Sequence, residues 1–340
     1  MAETVADLGE FGLIHRLDEL LRREGVRGEG TTLGIGDDTA SFRPRPGWEV
    51  LVTCDCMVEG RHYLAERTRP RAVGRRAMTM NISDIGAMGG VPRYALVSLG
   101  LTAATPVADV EELYRGFVEE LNPFGASVIG GNVTRTEGAN FIDITLIGEA
   151  EPDAVLRRST ARPGEAVLVT GFPGHAAAGL QGLLRGLPAD REPWRTLVGA
   201  YHQPTHRARE GRAVARSGCA SAMIDVSDGL LGDLGHICED SGVGAELYPE
   251  GLPVSEALRE AARQLGLDPL DLVLGDSDDY ELVITCPPDR VEGVRAAIAS
   301  VSAVPVFEVG RTTEDAGALH LVLPDGRRPL GRRGWDHFAK

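Results

Sequence analysis

The chain has 340 residues, with 35 lysines and arginines against 50 aspartates and glutamates, a formal net charge of −15. Hydrophobic and charged contents of 43% and 25% are those of a soluble globular protein with enough chain for about two domains. The acid excess argues against a nucleic-acid partner, and no apolar run approaches the roughly 20 residues of a membrane span. MAETVADLGEF at the start lacks the basic and apolar regions of a secretory signal, so a cytoplasmic location is expected. Glycine is over-represented, at 43 residues.

Phe11, Ile14, Leu17, Leu20 and Leu21 recur at helical spacing between charged positions. A glycine turn carrying LGIGDDTASF leads into a strand over about 49–55. Alternation there puts Cys54 and Cys56 on one face and Thr53 with Asp55 on the other, and the thiols are expected as buried filler. TRPRAVGRRAMTMNISDIGAMGG reads as a helix with Pro70 in its first turn. Strand RYALVSLGL follows, then a helix opened by Thr105 and Pro106, then strands ASVIGGNVTR and NFIDITLIGEA. The first domain, residues 1–150, is therefore β-rich with two long helices.

The stretch EPDAVLRRSTARPGE marks a boundary, and residues 151–340 form a second domain of mixed strands and helices. Its elements are strand AVLVTG, helices from about 174 and over 205–217, strand SAMIDV and the amphipathic helix DGLLGDLGHICEDSG. Strands near 281–286 and 304–309 bracket a helix after Pro287 and Pro288.

Asp37 and Asp38, Asp55, Asp84, and Asp225 with Asp228 form four acidic corners beside glycines or small residues, each at the end of an apolar run. Asn81-Ile82-Ser83-Asp84 and Asp225-Val226-Ser227-Asp228 share one pattern, for which two helix N-caps are the plain explanation. Taken together, carboxylates at such corners suit hard cations such as Mg²⁺, and neighbouring glycines admit a phosphate. No P-loop, dinucleotide fingerprint or protein-kinase signature is present. The five scattered cysteines form no CxxC pair.

LGIGDDTA, TCDCMVEGRHY, NISDIGAMGGVP, VIGGNVTR, IDVSDGLLGDLGHI, DSDDYEL and GWDHF, in that order, resemble the thiamine-monophosphate kinase family of the aminoimidazole ribonucleotide synthetase superfamily. The resemblance implies an α+β, two-domain aminoimidazole ribonucleotide synthetase-like fold. The N-terminal β-rich α/β domain binds ATP and Mg²⁺ and pairs in a homodimer, and the C-terminal α/β domain completes the nucleotide and substrate cleft. It implies transfer of the γ-phosphoryl group of ATP to thiamine monophosphate, with several Mg²⁺ ions. Carried over by position, Asp38, Thr53, Cys54, Asp55, Asp84, Asp225 and Asp228 lie at the metals. Gly131, Asn132, Arg158 and Ser227 contact ATP, and His62, Asp278 and Trp335 hold the thiamine substrate. No residue is assigned as acid or base, because the acceptor oxygen is already ionised.

Three positions depart from the family pattern. Asn132 replaces the acid of GGDT, Asp276-Ser277-Asp278 replaces Gly-Gly-Glu, and Trp335 replaces a tyrosine. The alternatives are another ATP-dependent superfamily member of the aminoimidazole ribonucleotide synthetase type, and a catalytically silent dimer that binds ATP and Mg²⁺.

Overall fold

The structure is a computed structural model, described here over residues 2–331. Over these residues it divides into two compact units, one of residues 2–85 with 90–152 and the other of 86–89 with 153–331.

The first unit begins with α1 (Val5–Glu24), capped by Thr4 and Asp7 in a reciprocal box. It continues through β1 (Thr31–Leu33), β2 (Ser41–Phe42), β3 (Glu49–Val58), α2 (Pro70–Ala87) and β4 (Val91–Leu101). α3 (Val107–Leu121), β5 (Ser127–Arg135) and β6 (Phe141–Ala150) complete it. Four strands form one sheet in the order β3-β6-β4-β5, antiparallel except for the β4–β5 pair, which α3 connects.

One face of this sheet is covered by helices. Gly148 of β6 has no room for a side chain because Ile85 of α2 sits on it. Gly74 and Gly116 likewise let the α2 and α3 backbones approach, each filling the space a Cβ would need. The opposite face of β3 is open, with Val50 46% and Val52 63% exposed and Cys54 and Cys56 exposed beside them. The alternation expected of β3 is present, but the thiols are not buried filler: among the described residues no element of this unit covers their face. The N-cap explanation of the acidic echo is also corrected. Asn81–Asp84 lies in the last turns of α2, whereas Asp225–Asp228 does precede a helix.

The second unit contains β7 (Ala166–Thr170), α4 (His175–Leu184), α5 (Trp194–His202), α6 (Ala208–Ser217), β8 (Ala222–Asp225) and α7 (Leu230–Ser241). Then come β9 (Gly244–Leu247), α8 (Glu256–Leu265), α9 (Pro269–Val273), β10 (Leu282–Cys286) and α10 (Val291–Ala299). β11 (Val306–Thr313), β12 (Leu319–Leu323) and β13 (Gly326–Pro329) follow. The strands form one sheet in the order β13-β12-β9-β11-β7-β10-β8.

Both faces of its centre are buried, which explains why β7 and β10 are apolar without a break. Val167, Val169 and Val283 pack with Leu197, Leu230, Leu234 and Leu258 on one side. Ala166, Leu168 and Ile284 pack with Val214, Val294 and Ile298 on the other. Among the described residues no helix is long and apolar enough to cross a membrane.

His175, at the start of α4, stacks on Phe172 and pairs with the Ser255 hydroxyl at 2.7 Å. Burial lowers its pKa from 6.5 to about 4. The unfolded chain therefore binds the proton more readily, so the stability due to the neutral ring is complete above pH 6.5 and is lost as pH falls towards 4. That loss amounts to up to about 3 kcal/mol. Urea unfolding across this range should show it in the parent and not in His175→Gln. Asp279, raised to about 7, titrates with the opposite sign but is common to both proteins. Equal pH slopes for the two would contradict the assignment.

Candidate active site

Asp84 stands in the last turn of α2, where the helix dipole disfavours a carboxylate. The Thr53 hydroxyl of β3 donates to it, joining helix end to strand. Asp55 lies on the same face of β3, two residues on and so about 7 Å along the strand. Asp55 thus shares the face of β3 on which Thr53 meets Asp84. The Cys54 side chain points to the opposite face. There its thiol lies 3.4 Å from Asp143 and 3.6 Å from the Thr145 hydroxyl on β6.

Across the sheet, Asp55 is in register with Ile144, Val97 and finally Gly131. Three strand spacings, about 14 Å, separate the two ends of this row. Gly131 has φ +153, and a Cβ there would collide with the Val97 carbonyl, so only glycine fits. Asn132 continues the adjacent row of Cys56, Asp143 and Ser98. The loop with Asp37 and Asp38 approaches this end, since a Cβ on Gly130 would lie 3.7 Å from that of Ala40. Asp38 is exposed, and its amide donates to Asp37 at 2.8 Å. The predicted site residues of the first unit therefore fall into two groups, at β3 and at β5.

In the second unit β8 ends at Asp225, and the chain turns through Val226, Ser227 and Asp228 before α7. Asp233, on the first turn of α7 and 2% exposed, reaches back to hold this turn. Its carboxylate accepts the Ser227 and Asp228 amides at 3.0 and 3.1 Å. Burial first, and then the Asp228 charge, raise its pKa to about 7, while the amide hydrogen bonds act the other way. One oxygen each of Asp228 and Asp233 and a ring nitrogen of His236 lie within 4.8 Å of one another. Sequence reasoning missed Asp233. Its signal was an acid in the first turn after DVSDG, which the helix dipole alone explains.

The loop before β10 lies beside this turn. The Tyr280 amide donates to the Val226 carbonyl at 2.8 Å, and the Val226 amide to the Glu281 carbonyl at 2.7 Å. A Cβ on Gly229 would meet the backbone of Gly275 and Asp276. Glu281 receives both Arg207 nitrogens at 2.6 Å and the Thr170 hydroxyl at 2.6 Å. Asp278, half-buried, is thereby close in the fold to Asp225, Ser227 and Asp228.

Arg158 pairs with Asp240 at 2.6 Å, and its carbonyl accepts the Ser241 hydroxyl at 2.9 Å. The His62 ring accepts the Val58 amide through Nδ1 at 2.9 Å, which fixes the turn after β3. Trp335 lies outside the described residues.

The donor set is suited to a hard cation. Carboxylates and a hydroxyl predominate, and backbone hydrogen bonds orient the turn at Asp228.

AIR synthase related protein, N-terminal domain, matches residues 36–150, and AIR synthase related protein, C-terminal domain, matches residues 162–321. The thiamine-monophosphate kinase of Aquifex aeolicus (strain VF5) is 33% identical over 98% of this chain and 99% of its own length. That of Bacillus subtilis (strain 168) is 30% identical over 97% and 100%. Among solved structures, thiamine-monophosphate kinase from Stenotrophomonas maltophilia K279a has a TM-score of 0.80 at 32% identity, covering 92% of this chain and 96% of that one. The structure described as AaThiL complexed with AMPPCP and TMP has a TM-score of 0.76 at 32% identity, covering 99% and 100%. The chain belongs to the AIR synthase related family, in its thiamine-monophosphate kinase branch.

Proposed function

We propose that this chain transfers the γ-phosphoryl group of ATP to thiamine monophosphate, giving thiamine diphosphate and ADP. The observation that carries the reading is the end-to-end likeness to a kinase complexed with AMPPCP and TMP. Carboxylates also stand where a helix end meets β3 in the first unit and at the turn between β8 and α7 in the second.

Both substrates are phosphate anions, so they repel one another and also repel Asp55, Asp84, Asp225 and Asp228. Thr53, Asp55 and Asp84 in the first unit, and Asp225 and Asp228 in the second, are the residues proposed to hold Mg²⁺. Asp38 is a further ligand by position. Held by these residues, Mg²⁺ would supply the positive charge that offsets the repulsion between the phosphates. Gly131 gives a phosphate close access to backbone, and Asn132, Arg158 and Ser227 are assigned to ATP. His62, Asp278 and Trp335 are assigned to thiamine monophosphate. The work of the chain is to hold donor and acceptor in line, since the attacking oxygen is already ionised and no proton need be removed. Asn132 supplies an amide oxygen in place of a charge, which leaves one fewer carboxylate to be neutralised.

A coupled assay with ATP and Mg²⁺ should show turnover only when thiamine monophosphate is added. Asp84→Asn and Asp228→Asn should each lower kcat by about a hundredfold while keeping the parent melting temperature. Tight ATP binding with no thiamine diphosphate formed would refute the activity, and unchanged kcat in the variants would refute the metal assignment.

We further propose that the open face of β3 meets a second copy of the chain, because Val50 and Val52 are apolar and exposed there. Light scattering should give a dimer for the parent and a monomer for Val52→Glu, whereas a monomeric parent would contradict this. Five free cysteines suit a reducing, cytoplasmic compartment.

A further inference from the structure

Burial alternates from Asp276 to Asp279, and Tyr280 is buried as well. Ser277, Asp279 and Glu281 are buried, Asp276 is exposed, and Asp278 is half-buried between two anchors. Those anchors fasten to the first turn of α4, about a hundred residues earlier in the chain. This helix has no cap of its own, because Gly174 occupies the cap position and offers no side chain. Its free amide groups are satisfied instead by the distant loop. Asp279 accepts the Gly174 amide at 2.6 Å and the Ala176 amide at 2.8 Å, and the Ser277 hydroxyl accepts the Ala177 amide at 3.1 Å.

Asp279 is 8% exposed and lies among backbone donors, so it is spent on the helix and is not offered to solvent. Tyr280, at φ +54, then bends the chain towards β10, and Glu281, just before that strand, is locked by Arg207. Asp278 is therefore the one carboxylate between two fixed points, and it is more exposed than the Ser277 and Asp279 side chains that grip α4.

We propose that Ser277 and Asp279 are positioning residues that hold Asp278 in place for thiamine monophosphate. The inference rests on Asp278 facing that substrate. Neither anchor touches substrate in this account, and each acts by removing freedom from the Asp278 backbone. Loss of an anchor leaves the carboxylate present but spread over more orientations, which weakens binding of the acceptor and leaves binding of ATP alone.

The test is steady-state kinetics on the full chain, varying thiamine monophosphate and ATP separately. Ser277→Ala removes the bond from the Ala177 amide and the Ser277 bond to the Asp279 carboxylate, while Asp279 keeps the Gly174 and Ala176 amides, so the fold is retained. Its KM for thiamine monophosphate should rise about threefold, and that of Asp279→Asn about tenfold, with KM for ATP unchanged. Asp279→Asn should be milder than Asp279→Ala, because the amide oxygen still accepts one N–H. Hydrogen exchange at Ala176 and Ala177 should accelerate in the same variants.

Unchanged KM for thiamine monophosphate in Ser277→Ala and Asp279→Asn, or a parallel rise in both KM values, would overturn the proposal. Asp278→Asn separates the two layers of the argument. If it raises KM for thiamine monophosphate and the anchor variants do not, only the positioning role fails. If it leaves that KM unchanged, the substrate role of Asp278 fails, and the positioning role with it.

Discussion

Repulsion between like charges governs this molecule. The chain carries a net charge of −15, and it places carboxylates at tight corners where two phosphate-bearing substrates are proposed to meet. Asp84 shows how far the arrangement goes, because it sits at a helix C-terminus, where the dipole adds to the repulsion, with the Thr53 hydroxyl donating to it. An arrangement of this kind is costly in a bare protein and becomes favourable once a divalent cation lies among the oxygens. On the proposed assignment, the acids at these corners are a demand for metal and not a bar to phosphate ligands.

Carboxylates also serve a second, purely internal purpose. Asp233 and Asp279 are buried, both have pKa values raised to about 7 by burial, and both are surrounded by backbone amides. Each ties a loop to the first turn of a helix, Asp233 within its own neighbourhood and Asp279 across about a hundred residues. Glu281 does a related task with a cation, the Arg207 guanidinium. The turn at Asp228 and the loop at Asp278 are therefore shaped by buried acids that bond to backbone amides or to a guanidinium. Those two segments lie against each other through Val226, Tyr280 and Glu281, so an error in one is passed to the other.

Much of this was legible in the sequence. Pro70 in its first turn, the apolar run before Asp55 and the amphipathic stretch after DVSDG located α2, β3 and α7, because each signal is local. Motif order gave the kinase family, which the comparisons bear out. Alternation correctly divided Thr53 from Cys54, but periodicity cannot tell which face another element will cover, and so the thiols were expected inside. The echo at Asn81–Asp84 misled in the same way, since Ser and Asp favour helix starts and here fall near a helix end. Asp279 was invisible as an anchor because its partners, Gly174 and Ala176, are backbone groups with no side-chain signature. The gap of about 14 Å between Asp55 and Gly131 depends on strand order, β3-β6-β4-β5, which no single motif encodes.

If the acidic corners exist to take up metal for phosphate binding, nucleotide affinity must depend on the divalent ion. The most direct measurement is calorimetric titration of the full chain with AMPPCP in the presence of Mg²⁺ and again in excess EDTA. A saturable binding isotherm is expected with Mg²⁺ and no measurable heat of binding without it. Equal affinity under both conditions would contradict the account.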